Sequence, residues 1–388
     1  MSLAAVQTEG FAYGGEAFGR LPDGRVCFFR GGVPGETAEL ELTCVKRSFA
    51  RGVLRNVPVP SPSRIIPKCP LAFRPGTALC CPGCSFQQVE HSVELRWKQR
   101  QLEDFLLRGK LAGAEVFDPP EPSPSRFGWR NRLKLSRAGG ETGFFAEDNV
   151  SIVPVEHCPL AVAALDSALP GCRELSGGEE IFLRWTPADG VVVNGGAREL
   201  TESLEEFGDF TVPASSFFQT NIPVAASLLR GVVGMLTQIG ARHLLELYCG
   251  VGVFSLAAAG KLPDLRTIGV ELDARAIDCA RRNADEHGLA DRCRFVVGNA
   301  EKQRARPGRS PSPDAVLVDP PRRGLSARLI ETLKSIRAPH VIYVSCAPDT
   351  LARDLKLLSG AYRVVKCRLY DMFPCTAHFE TLMRLDLK

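Results

Sequence analysis

Cys346 closes the apolar run 341–345 and stands two residues before Pro348. The run reads as a buried strand, and proline suits the first position of a helix, so the thiol falls between a strand end and a helix N-terminus. The positive end of the helix dipole favours thiolate there, which predicts a lowered thiol pKa and a nucleophile. A thiolate that adds to an unsaturated carbon needs a partner to remove a proton later in the cycle. Glu380, entering the last strand after Asp371-Met372-Phe373-Pro374, is the candidate, and His378 competes with it on the same strand face.

A second group of residues reads as a crevice for an adenosyl ligand. The turn Leu247-Tyr248-Cys249-Gly250-Val251-Gly252-Val253 lies between a strand and a helix, where glycine lets backbone approach a ligand closely. Glu271 ends the next strand 21 residues after Gly250, a position from which a carboxylate accepts from ribose hydroxyls. Phe254 and Ser255 replace the third glycine of a dinucleotide fingerprint, which favours an adenosyl group without a pyrophosphate. Asn299, at the following strand end, is placed to reach the adenine edge. Asp319-Pro320-Pro321-Arg322 projects from the fourth strand into the same crevice, because proline stops the ladder. A thiolate beside an adenosyl methyl donor suits methylation of pyrimidine C5. Sulfur adds to C6, C5 becomes nucleophilic, and a base then takes the C5 proton.

These residues need a parallel sheet to hold them. From about residue 210 strands at 243–248, 267–272, 293–297, 315–319 and 341–345 alternate with helices at 253–259 and 274–287, the rhythm of a doubly wound sheet. Residues 1–60 carry short alternating runs parted by glycine turns, as in a small antiparallel barrel. Proline clusters at 58–75 and 119–124 mark domain edges, with helix periodicity over 89–107 between them and strands at 131–136 and 150–155 after. The expected domains are 1–60, 61–212 and 213–388, with the helix docking on the last.

The chain of 388 residues has a net charge of +4, too small to name a partner, but its basic residues cluster. Lys46, Arg47, Arg51, Arg55, Arg64 and Lys68 share a stretch without an acid, and Arg126, Arg130, Arg132, Lys134 and Arg137 interleave with Phe127 and Trp129. Such stretches suit phosphates and unstacked bases. No apolar run is long enough to span a membrane, and the N-terminal residues carry no secretory pattern, so a cytoplasmic location is expected. Fourteen cysteines in such a chain point to metal binding, catalysis or burial rather than disulfides. Cys27, Cys44, Cys172, Cys279, Cys293, Cys367 and Cys375, scattered singly, read as buried.

Taken in order, Ser216-Phe217-Phe218-Gln219-Thr220-Asn221, Glu246-Leu247-Tyr248-Cys249-Gly250, Asp319-Pro320-Pro321-Arg322, Tyr343-Val344-Ser345-Cys346, Arg353-Asp354-Leu355 and the segment from Asp371 to Glu380 resemble the RNA uracil-5-methyltransferase family over nearly the whole chain. The iron-sulfur, 23S ribosomal-RNA branch is the most similar. The resemblance implies an α/β protein with a C-terminal Rossmann-like methyltransferase domain, an OB-like TRAM barrel at the N-terminus, and a mixed, strand-rich central domain carrying a 4Fe-4S cluster. It also implies Cys346 as nucleophile and Glu380 as proton acceptor. Gln219, Tyr248, Gly250, Glu271, Asn299 and Asp319 become the S-adenosylmethionine contacts, and Phe217 stacks near a flipped uracil. Cys69, Cys81, Cys84 and Cys158 would ligate the cluster. The eleven residues between Cys69 and Cys81 exceed the family's usual gap, which leaves Cys80 as an alternative first ligand. Four cysteines also suit a structural zinc. Val253 stands where relatives often have Asn, which predicts reduced cofactor affinity. The expected partner is RNA, ribosomal before transfer RNA, bound by a monomer. Alternatives are a non-catalytic iron-sulfur RNA sensor and a cytosine-5-methyltransferase, the latter disfavoured because Asp319-Pro320-Pro321-Arg322 contains no second cysteine.

Overall fold

The computed structural model describes residues 3–77, 79–175, 178–302 and 312–388. The chain forms two compact units, the first from residues up to 101, 125–183 and 373–378, the second from 102–124, 184–372 and 379–388. The boundaries expected at 60/61 and 212/213 do not coincide with these units. A division by sequence position assumes that the chain leaves each unit once, whereas here it returns. The helix expected at 89–107 is α1 (His91–Arg108), and it changes unit after Gln101.

In the first unit, β1 (Leu3–Phe11), β2 (Ala17–Arg20), β3 (Val26–Phe29), β4 (Thr37–Val45) and β5 (Phe49–Val59) close a barrel of order β1-β2-β3-β5-β4. Alternation along the strands turns Val6, Phe29, Ala38, Leu40 and Leu54 inward, and closure leaves no free edge. Phe86, Val89 and Val93 extend this core. The basic run is less free than its sequence suggests. Arg51 pairs with Glu16, Arg55 with Glu41, and Arg64 with the buried Glu36, leaving Lys46, Arg47 and Lys68 exposed. Acids distant in sequence meet these arginines across the barrel, which a linear reading cannot see. The unit continues through β6 (Arg132–Ala138), β7 (Glu141–Phe145), β8 (Ile152–Pro154), a short α2 (Ala163–Ala168) and β9 (Glu180–Thr186), with β9-β6-β7-β8 adjacent in one sheet.

From Arg184 the chain builds the second unit. There β10 (Gly190–Val193) and the pair β11 (Glu199–Ser203) and β12 (Asp209–Pro213) precede α3 (Ile222–Gln238). Then follow β13 (His243–Leu247), α4 (Val253–Lys261), β14 (Arg266–Glu271), α5 (Ala274–Glu286), β15 (Cys293–Val297), β16 (Ala315–Val318), α6 (Ala327–Ile336), β17 (His340–Ser345), α7 (Pro348–Leu358), β18 (Tyr362–Tyr370) and β19 (Glu380–Leu387). The seven-stranded sheet has the order β15-β14-β13-β16-β17-β19-β18. Its first five strands are parallel, as expected, and β19 enters antiparallel between β17 and β18. Its strands are apolar because helices cover both faces; Val316, Leu317, Val341 and Ile342 are fully buried. Among the described residues no helix is long and apolar enough to cross a membrane.

Candidate active site

Sheet register assembles the reactive groups. Val318 of β16 pairs with Tyr343 of β17, and Ser345 of β17 with Thr381 of β19. The next residues along these strands are Asp319, Cys346 and Glu380. Antiparallel pairing therefore sets Cys346 opposite Glu380, with Asp319 at the same end on the other side of β17.

Burial dominates the electrostatics. It pushes the half-buried Cys346 thiol up to about 12, and the charges of Glu380 and Asp319 add to that, against Arg322. The lowered thiol pKa expected from the α7 N-terminus is thus overturned. A helix end is worth at most about 2 kcal/mol, less than desolvation and two neighbouring carboxylates take away. Burial also raises Asp319 to about 7. Glu380, itself buried, is held well above the ordinary carboxylate range by burial and then by Asp319, with Arg322 opposing. Its Oε2 has no hydrogen-bond partner. The same burial thus raises both the thiol and the carboxyl, with Arg322 the cation that opposes it. His378 falls in the 373–378 segment of the first unit, before β19, with its ring edge-on to Phe373.

The loop after Asp319 is clamped from α7 and β17. The buried Asp354 accepts from Leu325 N (2.7 Å) and the Tyr343 hydroxyl (2.8 Å), while Arg353 donates to the carbonyls of Arg323 (2.8 Å) and Leu325 (3.1 Å). Gly324 is required here, since its φ is +72° and a Cβ would lie 2.5 Å from Asp354 Oδ2. Asp354, within Arg353-Asp354-Leu355, and Arg322, the cation that opposes the raised Cys346 and Glu380, carry no role assigned from the sequence. Both escaped the sequence reading because their roles depend on contacts across the sheet end.

The cofactor turn has the geometry its glycines require. Tyr248 and Gly250 both adopt positive φ, +65° and +52°, and the space where a Gly250 Cβ would point is open. Glu271 receives Gly250 N (3.3 Å), Leu272 N (2.6 Å) and Asp273 N (3.1 Å). Asn299 Oδ1 accepts from Glu301 N at 2.8 Å. Below the turn, burial raises Glu246 to about 8 despite hydrogen bonds from Ser255.

The segment 216–221 is held from beneath by Arg184. That buried guanidinium pairs with Glu202 at 2.8 Å, donates to the carbonyls of Pro213 and Ser216, and lies over the Phe218 ring. Phe217 is left 68% exposed, as a base-stacking ring would be. Gln219 Oε1 is buried without a partner.

In the first unit, Cys69, Cys81, Cys84 and Cys158 line one apolar cavity with Leu71, Ala72, Gln87 and Phe144. Gln87 ties two of them, accepting from Cys69 N (3.0 Å) and donating to Cys84 Sγ (3.1 Å). Cys80 is not in the cavity wall and instead meets Arg30 at 3.4 Å. Among the described residues no three His, Cys, Asp or Glu side chains are arranged to hold a metal ion. The singly scattered cysteines are buried, except Cys44, which is half-exposed.

A seven-stranded sheet of this order, with a glycine turn after its central strand and reactive groups at neighbouring strand ends, defines a methyltransferase fold joined to an N-terminal barrel. Residues 210–337 match the methyltransferase small domain, residues 4–54 the TRAM domain, and residues 310–388 the tRNA (Uracil-5-)-methyltransferase family. An uncharacterized RNA methyltransferase of Gloeobacter violaceus is 30% identical over 451 residues, covering 97% of this chain and 94% of its own. One from Thermosynechococcus vestitus is 29% identical, covering 98% and 97%. The chain belongs to the RNA uracil-5-methyltransferase family, whose members are enzymes that use S-adenosylmethionine. The crystal structure of Pyrococcus abyssi tRNA (uracil-54, C5)-methyltransferase in complex with S-adenosyl-L-homocysteine shares the fold, with a TM-score of 0.74 at 24% identity over 98% of this chain and 100% of that one.

Proposed function

We propose that the protein methylates C5 of a specific uridine in 23S ribosomal RNA. The observation that carries the reading is the meeting of Cys346, Glu380 and Asp319 at one end of three neighbouring strands. The Cys346 thiol gives up its proton to solvent, its sulfur forms a bond to uracil C6, and the C5=C6 pair moves onto C5, which becomes nucleophilic. S-adenosylmethionine, when bound, supplies the methyl group for that carbon. Glu380 then takes the C5 proton, the C5=C6 bond re-forms and the C6–S bond breaks. Arg322 offsets the negative charge gathered on the thiol and carboxylates.

The residues fit the cofactor. Gln219 Oε1 is an orphaned acceptor, Gly250 leaves open space above the turn, and Glu271 is anchored by three backbone donors for its ribose role. Tyr248, Asn299 and Asp319 complete the proposed contacts. Phe217 stacks near the uracil.

Four cysteines around one cavity fit a 4Fe-4S cluster, with Cys69, Cys81, Cys84 and Cys158 as ligands. The four-cysteine cavity together with the barrel supports ribosomal RNA. Transfer RNA is the second reading, favoured by the full-length likeness to the archaeal tRNA enzyme, which means that the barrel alone does not choose. Incubation with S-adenosylmethionine and 5-fluorouridine transcripts of each RNA tests both. A methylated adduct on 23S RNA supports the first, one on tRNA alone the second, and none on either removes the catalytic reading.

A further inference from the structure

The nine residues between β18 and β19 are more elaborately held than a hairpin connection requires. Residues 373–378 of this connection belong to the first unit. There Glu94 and Lys98, one turn apart on α1, are both fully buried and paired at 2.8 Å. Lys98 Nζ donates to the Phe373 carbonyl at 3.1 Å, and Cys375 N donates to Glu94 Oε1 at 2.7 Å. Arg126 donates to Glu94 Oε2 at 3.3 Å and to the carbonyls of Phe86 and Val89. Phe86 N in turn donates to the Cys375 carbonyl at 3.0 Å. The Phe373 ring packs edge-on against Trp129. Cys375 adopts a φ of +67°, a left-handed conformation that a non-glycine residue keeps only where its surroundings over-determine it.

Burying a charged pair and straining a backbone both cost stability, so neither is expected in an idle loop. Glu380 begins β19 two residues after His378. We propose that Glu94, Lys98 and Arg126 form a mount that fixes the strap 373–378 and thereby sets where the chain enters β19 and where the Glu380 carboxyl stands. Glu94 is a positioning residue for the proton acceptor. The inference rests on the reading of Glu380 given above. The affected step is release of product. Glu380 takes the proton from C5, the C5–H electron pair becomes the C5=C6 bond, and the C6–S bond breaks with its pair returning to Cys346 sulfur. A loosened strap slows this step while leaving addition and methyl transfer in place, so that the methylated covalent protein–RNA species accumulates.

The test uses the full-length protein, S-adenosylmethionine and unmodified transcript of whichever RNA traps the wild type as its 5-fluorouridine form. Glu94→Ala removes the acceptor for Cys375 N, Glu94→Gln keeps a carbonyl oxygen there, and Lys98→Met removes the bond to Phe373. The expected result for Glu94→Ala is a kcat about tenfold or more lower, RNA KM within about twofold, and methylated adduct visible by intact mass. Glu94→Gln should recover most of the turnover. Should Glu94→Ala fail to fold, Lys98→Met decides by the same adduct readout. Wild-type turnover in the folded variants, or a loss of activity without accumulated adduct, overturns the mount. If the wild type itself forms no 5-fluorouridine adduct, the functional reading falls and the mount falls with it.

Discussion

Cys346 stands one residue beyond β17, at the end of a seven-stranded sheet, whereas Cys69, Cys81, Cys84 and Cys158 lie on irregular segments. The two thiol sites are therefore preorganised by different means. In the second unit, the β17–β19 ladder, which ends at the Ser345–Thr381 pair, carries Cys346 and Glu380 to one sheet end, and the Asp354 clamp fixes the adjoining loop, with no ligand needed to bring the groups together. In the first unit, a few contacts such as the Gln87 bridge organise the cysteine loops, and a bound cluster would supply the remaining constraint. A sheet end tolerates the cost of gathering acidic groups because its own hydrogen bonds and core are satisfied independently.

The largest expected effect separates the two regions. Cys81→Ser with Cys84→Ser should cost the first unit several kcal/mol, as loss of a structural metal centre does, while S-adenosylmethionine affinity measured by calorimetry stays within about threefold. Equal loss of both would break the comparison. Within the second unit, Asp354→Ala strands Leu325 N and the Tyr343 hydroxyl, and about 2–4 kcal/mol of stability should go with it. Denaturant unfolding followed by a probe in that unit measures this. Phe217→Ala should weaken RNA binding by about 1–3 kcal/mol and leave cofactor binding unchanged, since the ring is exposed and supports nothing.

Smaller effects report on the buried acids. Glu246 is raised to about 8 in the folded protein, so the folded state binds more protons than the unfolded one above the ordinary carboxylate range. Stability linked to it is full at low pH and is lost as pH climbs toward 8, by at most about 1.4 kcal/mol per pH unit. Glu246→Gln should flatten that decline in urea titrations run across the range. The Cys346 thiol, at about 12, should alkylate with iodoacetamide slowly at pH 7 and about tenfold faster per pH unit up to pH 10. A plateau near neutrality would show that the helix N-terminus outweighs burial after all.

Much of the second unit was legible because its chemistry sits at strand ends, where apolar periodicity and glycine or proline punctuation mark the same few residues. Val341–Ser345 before Cys346, and Leu244–Leu247 before the glycine turn, are of this kind. What the linear reading missed depends on pairs far apart in the chain. The Cys346 thiol was expected low because a helix start can be read locally, but its burial beside Glu380 and Asp319 cannot. Arg51, Arg55 and Arg64 looked free because Glu16, Glu41 and Glu36 lie elsewhere in sequence. A discontinuous unit is illegible for a related reason, since residues 373–378 return to a unit the chain leaves long before.

The central claim is that Cys346 forms the bond to uracil C6 in RNA. Intact-protein mass after incubation with S-adenosylmethionine and a 5-fluorouridine ribosomal-RNA transcript tests it most directly. The account predicts a covalent adduct carrying one added methyl group, absent in Cys346→Ala. An adduct that persists in Cys346→Ala, or no adduct on ribosomal or transfer RNA, would contradict it.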